Sequence, residues 1–434
     1  LEPPARKLPA ADEVTIDRKH YYRQLLHGWY QFNCVVTGDT VRSTKFYIPE
    51  GSIYNQPTVF IAVPDDVSAW NFMVASGWKA LSDRYGLYLV LMEPKEGKWG
   101  KEAEETAYFN ALGNDISLRP MFCAFQANFY GIGYGKAAGL LGRQSRRMPR
   151  AYAAIALIGS DGMSAGEKEA LENEMTRVPG VPCADVQCPV WLVPAGDTEN
   201  CRREADFYRR ADHSCEIGRT EGSRTVWLPE KGGTIDENWC AKVITDQKDW
   251  TECINEHCSE AILTELFDGI YRYPGNNNGA LRKNGNIYER GFRKYSAEVW
   301  GGYYSDRRDT YTREWYVYVP ASADQTKPLP VVFVYHGAGG SGDEIADRIG
   351  WSHAADQHGF LIICPTASEP NEVRRISDME TNNIVRAMWN TGNPQPERPS
   401  DMLFLDYLYQ WLPEHYRVDL SRIYASGQSS GGMM

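Results

Sequence analysis

Short, nearly continuous apolar runs recur along the chain, separated by stretches with helical spacing. Thr58–Val63 and Leu87–Met92 are almost wholly apolar, as strands covered on both faces require. Trp70–Arg84 lies between them with helical spacing. Phe122–Tyr130 leads into Gly131-Ile132-Gly133-Tyr134-Gly135, and Lys136–Leu141 then reads as helical. Ala153–Ile158, Val190–Val193 and Thr225–Leu228 predict further strands, and Ala261–Tyr271 a closing helix. Thr44–Ile48 alternates like an edge strand and stops at Pro49. Strands alternating with helices predict an α/β fold, a mostly parallel sheet with helices on both faces.

The pattern breaks at Tyr273-Pro274-Gly275-Asn276-Asn277-Asn278-Gly279, where Pro, Gly and three Asn favour turns over helix. This predicts two domains, 1–272 and 273–434. Past the break the punctuation returns. Glu314–Val319 is again edge-like and ends at Pro320, and Val331–Tyr335 matches Thr58–Val63. Gly350-Trp351, Asp356 and Gly359-Phe360 repeat Gly77-Trp78, Asp83 and Gly86-Leu87 at an offset of 273. Each set precedes an apolar strand, Leu361–Cys364 or Tyr88–Met92. The glycine runs at Gly427 and Gly131 correspond at an offset of 296. The same features in the same order predict a duplication.

The 434 residues hold 42% apolar and 24% charged residues, a globular composition. A net charge of −11 disfavours nucleic acid or an anionic membrane as partner and supports solubility. No apolar stretch has the length of a bilayer span. The chain begins at Leu1 rather than Met, so a removed leader stays open, and localisation is left between secreted and cytoplasmic. Seven of ten cysteines lie between Cys183 and Cys258. Their spacing is not that of a zinc ribbon, and His257 beside Cys258 does not make a metal site. One or two disulfides there, or buried free thiols, are equally compatible with the spacing.

Candidate chemistry gathers near the end. Arg422–Ser426 reads as a buried strand and is followed by Gly427-Gln428-Ser429-Ser430-Gly431-Gly432. Strand, Gly-x-Ser-x-Gly and a small-residue helix start form the nucleophile elbow of α/β-hydrolases, with Ser429 as nucleophile. Ser430 as nucleophile would need a different register of the glycines. The Ser430 backbone N–H is one expected oxyanion donor. The other is Ala338 N–H, in the loop His336-Gly337-Ala338-Gly339-Gly340-Ser341-Gly342 after Val331–Tyr335. The bland alternative for His336-Gly337 is a loop whose imidazole only packs. His353, His358 and His415 precede the elbow, whereas the base of this fold follows its nucleophile, so they read as surface or packing residues. Neither a histidine nor an acid follows Ser429 in the sequence.

His336-Gly337-x-Gly-Gly, Trp389-Asn390, Ser400-Asp401-Met402-x-Phe404 and Val418-Asp419-x-x-Arg422-Ile423-Tyr424 before the elbow together resemble one group. It is the polyhydroxybutyrate-depolymerase-like esterases, which include feruloyl and acetylxylan esterases. The resemblance covers about Trp315 to Met434. It implies two α/β-hydrolase-type domains, the second truncated after its elbow, and carboxylic-ester hydrolysis through a serine acyl-enzyme without metal or cofactor. Carried over by position, it makes Ser429 the nucleophile, with donors at Ala338 and Ser430. Members often have Cys where Ala338 stands, but only the backbone is needed there. His336, Gly337, Trp389 and Asn390 are then loop or acyl-pocket candidates, with core packing the alternative for Trp389. The expected partners are an ester substrate, small or polymeric, and a segment beyond Met434 or a second chain that completes the site.

The first half lacks this chemistry. On the 296 offset the serine's place falls to Gly133, and Pro64-Asp65 replaces His336-Gly337. Asp197, after Val190–Val193, is a relic of the triad acid or an ordinary turn aspartate. Gly232-Gly233 stands after Thr225–Leu228, where a base is expected. Gly-x-Gly-x-Gly here has the wrong spacing for nucleotide phosphates. Three functions remain: a serine esterase with a degenerate first domain, a serine peptidase of the same fold, and a non-enzymatic binding protein. The 13 Trp and 26 Tyr suit aromatic or sugar-linked substrates but equally fill cores.

Overall fold

The computed structural model describes residues 2–8, 26–52, 56–118, 124, 128–176, 180–230, 240–272, 281–283, 287–288, 290–304, 307–324, 326–338, 340–348, 350–367, 389–390 and 399–434. The junction Tyr273–Gly279 and Gly339 lie outside them. Two compact units separate by their contacts: Leu1–Leu8 with Leu25–Lys283, and Asn284–Met434.

In the first unit the main strands are β1 (Gly28–Thr37), β2 (Thr40–Ile48), β3 (Thr58–Ala62), β4 (Tyr88–Met92), β5 (Phe129–Tyr134), β6 (Ala154–Ser160), β7 (Val190–Pro194), β8 (Arg224–Trp227) and β9 (Val243–Asp246). They lie in the order β1-β2-β4-β3-β5-β6-β7-β9-β8, with Arg6–Lys7 and Arg219–Glu221 at the two edges. Every residue of β3, β4, β5 and β6 is buried, as their unbroken apolar runs predict. The run from β4 to β9 is parallel; β2 and β8 are antiparallel to both neighbours, and β1 is antiparallel to β2 but parallel to Arg6–Lys7.

The second unit holds β10 (Arg293–Tyr304), β11 (Arg307–Tyr318), β12 (Leu329–Tyr335), β13 (Leu361–Pro365) and β14 (Val418–Gly427), in the order β10-β11-β13-β12-β14. This is the order of β1-β2-β4-β3-β5. Alternate residues of β11, β12 and β13 point to opposite faces, as strand geometry requires. Trp315, Val317, Val331, Phe333, Leu361 and Ile363 pack with Phe404, Leu408 and Trp411, which belong to the helix Asp401–His415. Tyr316, Tyr318, Val332, Val334 and Ile362 pack with Ile345, Ala346 and Ala355 on the other face.

Several expectations change. Thr44–Ile48 and Glu314–Val319 are not edge strands: β2 is paired by β1 and β4, and β11 by β10 and β13. Their alternation reflects an antiparallel sheet with one side wetter than the other. Trp70–Arg84 is two helices, Ala69–Ala75 and Trp78–Tyr85, split at Gly77, whose φ of 80° is left-handed. Ala261–Tyr271 is a helix end and one π-helical stretch that yields to a strand, Ile270–Arg272. Arg422–Ser426 is strand but not buried: Leu420 is 49% and Tyr424 56% exposed. Among the described residues β14 pairs only with β12, so its far side stays open.

Three sets of contacts occur in both units. The helices Trp78–Tyr85 and Trp351–His358 are each opened and closed by a left-handed glycine. Tyr47 Oη donates to Asp83 at 2.5 Å, and Tyr318 Oη to Asp356 at 2.6 Å. Arg42 bonds Glu105 and the Glu93 carbonyl and stacks on Tyr108; Arg313 bonds Asp401 and the Thr366 carbonyl and stacks on Phe404.

The described cysteines are free thiols. Deep in the first unit, Asp212 Oδ1 accepts the Cys188 N–H at 2.6 Å while its Oδ2 has no hydrogen-bond partner. Burial pushes its carboxyl up to about 8, against the pull of Arg272. The folded chain therefore binds the proton more tightly than the unfolded chain, and this group's contribution falls as pH rises from about 4 to about 8. Asp212→Asn keeps an acceptor for Cys188 and carries no charge. We expect it to stabilise by roughly 1–3 kcal/mol at pH 8.5 and to change little near pH 4, measured by urea unfolding across that range.

Candidate functional site

The turn after β14 is forced by close backbone approach. A Cβ on Gly427 would fall 2.1 Å from the Gly431 carbonyl oxygen, and one on Gly431 2.4 Å from that of Tyr335. Both distances are far inside contact, so only glycine fits. Between them Ser429 takes φ 51°, a left-handed conformation uncommon for a residue with a side chain. The strain turns its side chain outward: Ser429 is exposed, whereas Ser430 is buried with its hydroxyl unpartnered. Among the described residues no imidazole or carboxylate hydrogen-bonds the Ser429 hydroxyl. Gln428 N–H donates to the Tyr335 carbonyl at 3.0 Å, holding the turn against the end of β12.

The glycine loop comes to the same point. A Cβ on Gly337 would lie 3.5 Å from Ser429 Cβ and 3.4 Å from the Gln428 carbonyl oxygen. A side chain at Gly337 would thus stand in van der Waals contact with the candidate nucleophile, and Ala338 comes next and is exposed. His336 is itself buried, and its ring is spent on the loop. Nε2 accepts the Ala367 N–H at 2.9 Å, so Nδ1 carries the proton and donates to the Gly337 carbonyl at 2.7 Å. Trp389 Nε1–H donates to the His336 carbonyl at 2.8 Å, and the two rings lie 4.9 Å apart. Asn390 N–H donates to Asp401 Oδ2 at 2.5 Å, and its side chain to the Pro399 carbonyl at 3.2 Å. Trp389 and Asn390 are both buried.

The residue that the sequence did not bring forward is Arg313. It pairs with Asp401, and both are almost wholly buried. Asp401 was visible only as part of Ser400-Asp401-Met402; its partner lies 88 residues away on β11, with no local signal. The pair holds Asn390, and through the adjoining Trp389 the first carbonyl of the loop. Behind the loop, Ser341 bonds Asp343, and Gly342 N–H donates to Thr366 Oγ1 at 2.8 Å. Burial raises the Asp343 carboxyl, and burial with the facing Asp343 pushes Glu314 up to about 10, against the Tyr316 hydroxyl that donates to it; Lys294 Nζ lies 2.6 Å from the same carboxyl. Among the described residues no group of His, Cys, Asp and Glu could hold a metal ion, and no helix is long and apolar enough to cross a membrane.

In the first unit the corresponding place is closed. Thr58 pairs with Tyr88 as Val331 pairs with Leu361, and Ala62 with Gly133 as Tyr335 with Gly427. Gly133 therefore stands where Gly427 does, and the serine's place belongs to Gly135, at an offset of 294 rather than 296. Gly135 has φ 60° and ψ −131°. By the same register Val63-Pro64 answers to His336-Gly337, one residue earlier than the sequence suggested. The Val63 carbonyl accepts the Trp99 indole N–H at 2.8 Å, and Gly100 N–H donates to Glu105 at 2.9 Å. These repeat the bonds of Trp389 and Asn390. The last parallel strand is β9, not Thr225–Leu228, and the loop after it delivers Trp250. A Cβ on Gly135 would lie 3.1 Å from Trp250 Cη2, and one on Gly159 2.7 Å from its Cδ2. An indole fills the place of a serine side chain. Asp197 sits exposed after β7, paired with Arg202 at 2.5 Å.

No protein-family model matches the chain. It is 30% identical over 122 residues to feruloyl esterase B of Thermothelomyces thermophilus, covering 27% of this chain and 36% of that protein. To feruloyl esterase B of Talaromyces stipitatus it is 27% identical over 119 residues, 27% of this chain and 29% of that protein. The chain spans about a third of the length of the curated relatives it matches. Among solved structures, an acetyl xylan esterase from Aspergillus awamori matches 55% of this chain and 98% of its own, at 10% identity and TM-score 0.38. A poly(3-hydroxybutyrate) depolymerase from Bordetella parapertussis matches 42% and 72%, at 15% identity and TM-score 0.31. The fold is α/β, a sheet flanked by helices with a left-handed turn at the end of a parallel strand.

Arg313→Leu should leave Asp401 buried without its counter-charge. We expect a loss of about 3–5 kcal/mol in unfolding free energy, read by urea denaturation, with Arg313→Leu/Asp401→Leu recovering part of it.

Proposed function

We propose that the second unit is the first part of a serine carboxylic-ester hydrolase, and that the first unit is a duplicated copy without catalytic chemistry. The juxtaposition that carries this reading is the strained, outward Ser429 beside the Gly337-Ala338 backbone. Ser429 Oγ attacks the ester carbonyl carbon, and the negative charge that develops on oxygen is met by the Ala338 and Ser430 N–H groups. The alcohol leaves, an acyl-enzyme forms on Ser429, and water then releases the acid. His336 positions the loop, and Trp389 and Asn390 tie that loop to the core. The similarity to feruloyl esterase B supports an aromatic-acid ester as substrate.

The open side of β14, with Leu420 and Tyr424 exposed, supports a further strand seated there. We assign to that strand's segment, in the same chain or a second one, the histidine and carboxylate that must activate Ser429. For the duplication, the support is the shared strand order and the paired Arg–acid, Tyr–Asp and Trp–carbonyl contacts. The units separate at 283/284, eleven residues past the 272/273 boundary expected from the turn-rich break.

In the complete protein, Ser429→Ala should lower kcat on p-nitrophenyl esters by about 10³–10⁶-fold with the fold retained, and a serine-reactive phosphonate should label Ser429 alone. Residues 1–434 by themselves should show no turnover above background. Faster cleavage of peptide anilides than of esters would move the assignment to a peptidase.

For the first unit, Gly135→Ser should create no activity, because Trp250 occupies the space. Asp197→Asn should leave kcat within about twofold; a thousandfold loss at unchanged melting temperature would place Asp197 in a working site.

A further inference from the structure

The segment that closes the first unit's vacated site carries two cysteines. Trp250–Cys253 is one 3₁₀ turn, and the helix Glu256–Ala261 follows two residues later. The Cys253 thiol donates to the Asp249 carbonyl at 3.9 Å, at the foot of that turn. The Cys258 thiol donates to the Glu252 carbonyl at 4.0 Å, the residue just before Cys253. The two side chains therefore converge on carbonyls of one turn. Cys258 is half-buried, Cys253 fully buried. Lys248 Nζ donates to the Cys258 sulfur at 3.6 Å.

We propose that Cys253 and Cys258 are a disulfide-forming pair that staples Trp250 over Gly135 and Gly159. The accessible thiolate is that of Cys258. It attacks one sulfur of a disulfide oxidant such as oxidised glutathione, forming a mixed disulfide and releasing one glutathione thiolate. Cys253 loses its proton to solvent and attacks the Cys258 sulfur, forming the Cys253–Cys258 bond and expelling the second glutathione thiolate. Two protein thiols are oxidised and one oxidant disulfide is reduced to two thiols. Burial keeps the Cys253 thiol well above its ordinary range, which makes the second step the slow one. The bond fixes the turn that holds the indole where a serine side chain would otherwise stand. It does not depend on the esterase assignment of the second unit.

The test uses the full chain equilibrated in glutathione buffers from fully reduced to strongly oxidising, then acid-quenched, alkylated and cleaved after glutamate. Cleavage at Glu256 separates Cys253 from Cys258 unless they are joined. Under oxidising conditions the two fragments should appear as one species, two hydrogens lighter than their sum, with neither cysteine alkylated. Amide exchange across residues 249–261 should slow several-fold, and the melting temperature should rise by about 2–5 °C. In Cys258→Ser, Cys253 should stay alkylatable at every ratio. Stable glutathionylation of Cys258 with Cys253 still free, or linkage only after denaturation, would overturn the proposal.

Discussion

A buried guanidinium–carboxylate pair is the constraint on which the candidate site rests. Neither Arg313 nor Asp401 could be buried alone, since an uncompensated charge in the core costs several kcal/mol. Together they anchor the start of the helix Asp401–His415 to β11 and leave one carboxylate oxygen for Asn390 N–H. Trp389, held by that bond, passes its indole N–H to the His336 carbonyl. The position of the loop beside Ser429 is thereby set from the core outward, through charge, amide and indole in turn. The same chain of contacts, Arg42 to Glu105 to Gly100 and Trp99 to Val63, runs through the first unit, where no serine stands at its end.

That contrast separates scaffold from chemistry. Both units spend buried polar groups on fixing the end of one strand, β3 or β12, and those contacts are alike in geometry. What differs is the few atoms beyond it. His336-Gly337-Ala338 presents backbone N–H groups in an open loop, while Pro64 has no N–H and Asp65 is spent on the Trp99 amide at 2.8 Å. Ser429 is exposed, while Gly135 lies under Trp250. The scaffold is alike in the two units because the contacts that stabilise it are not the ones in which they differ.

Much of this was legible in the residue order. Local rules suffice for the all-apolar runs that became β3, β4, β12 and β13, for the glycines that open and close Trp78–Tyr85 and Trp351–His358, and for the Gly-x-Ser-x-Gly turn. Each depends on side-chain period or on backbone freedom within a few residues. The sequence reading missed β1, β10 and the helix Glu102–Leu118, whose polar content masks their periodicity. It also took β14 for a buried strand because its Ile423-Tyr424-Ala425 run is apolar, and burial depends on what lies alongside.

Sequence alone determined the α/β alternation, the repeated punctuation 273 residues apart, and a serine that must adopt a left-handed conformation between two glycines. Tertiary structure decided the rest. Pairing register moved the serine's counterpart from Gly133 to Gly135, because a strand's partner fixes where its turn begins. Folding brought Trp250, more than a hundred residues away in sequence, onto Gly135. Arg42 and Glu105, 63 residues apart, and Arg313 and Asp401, 88 apart, became pairs only when a strand and a helix enclosed them. Their stability comes from being shut away from water together, and enclosure is a property of the folded chain that no local window of residues contains.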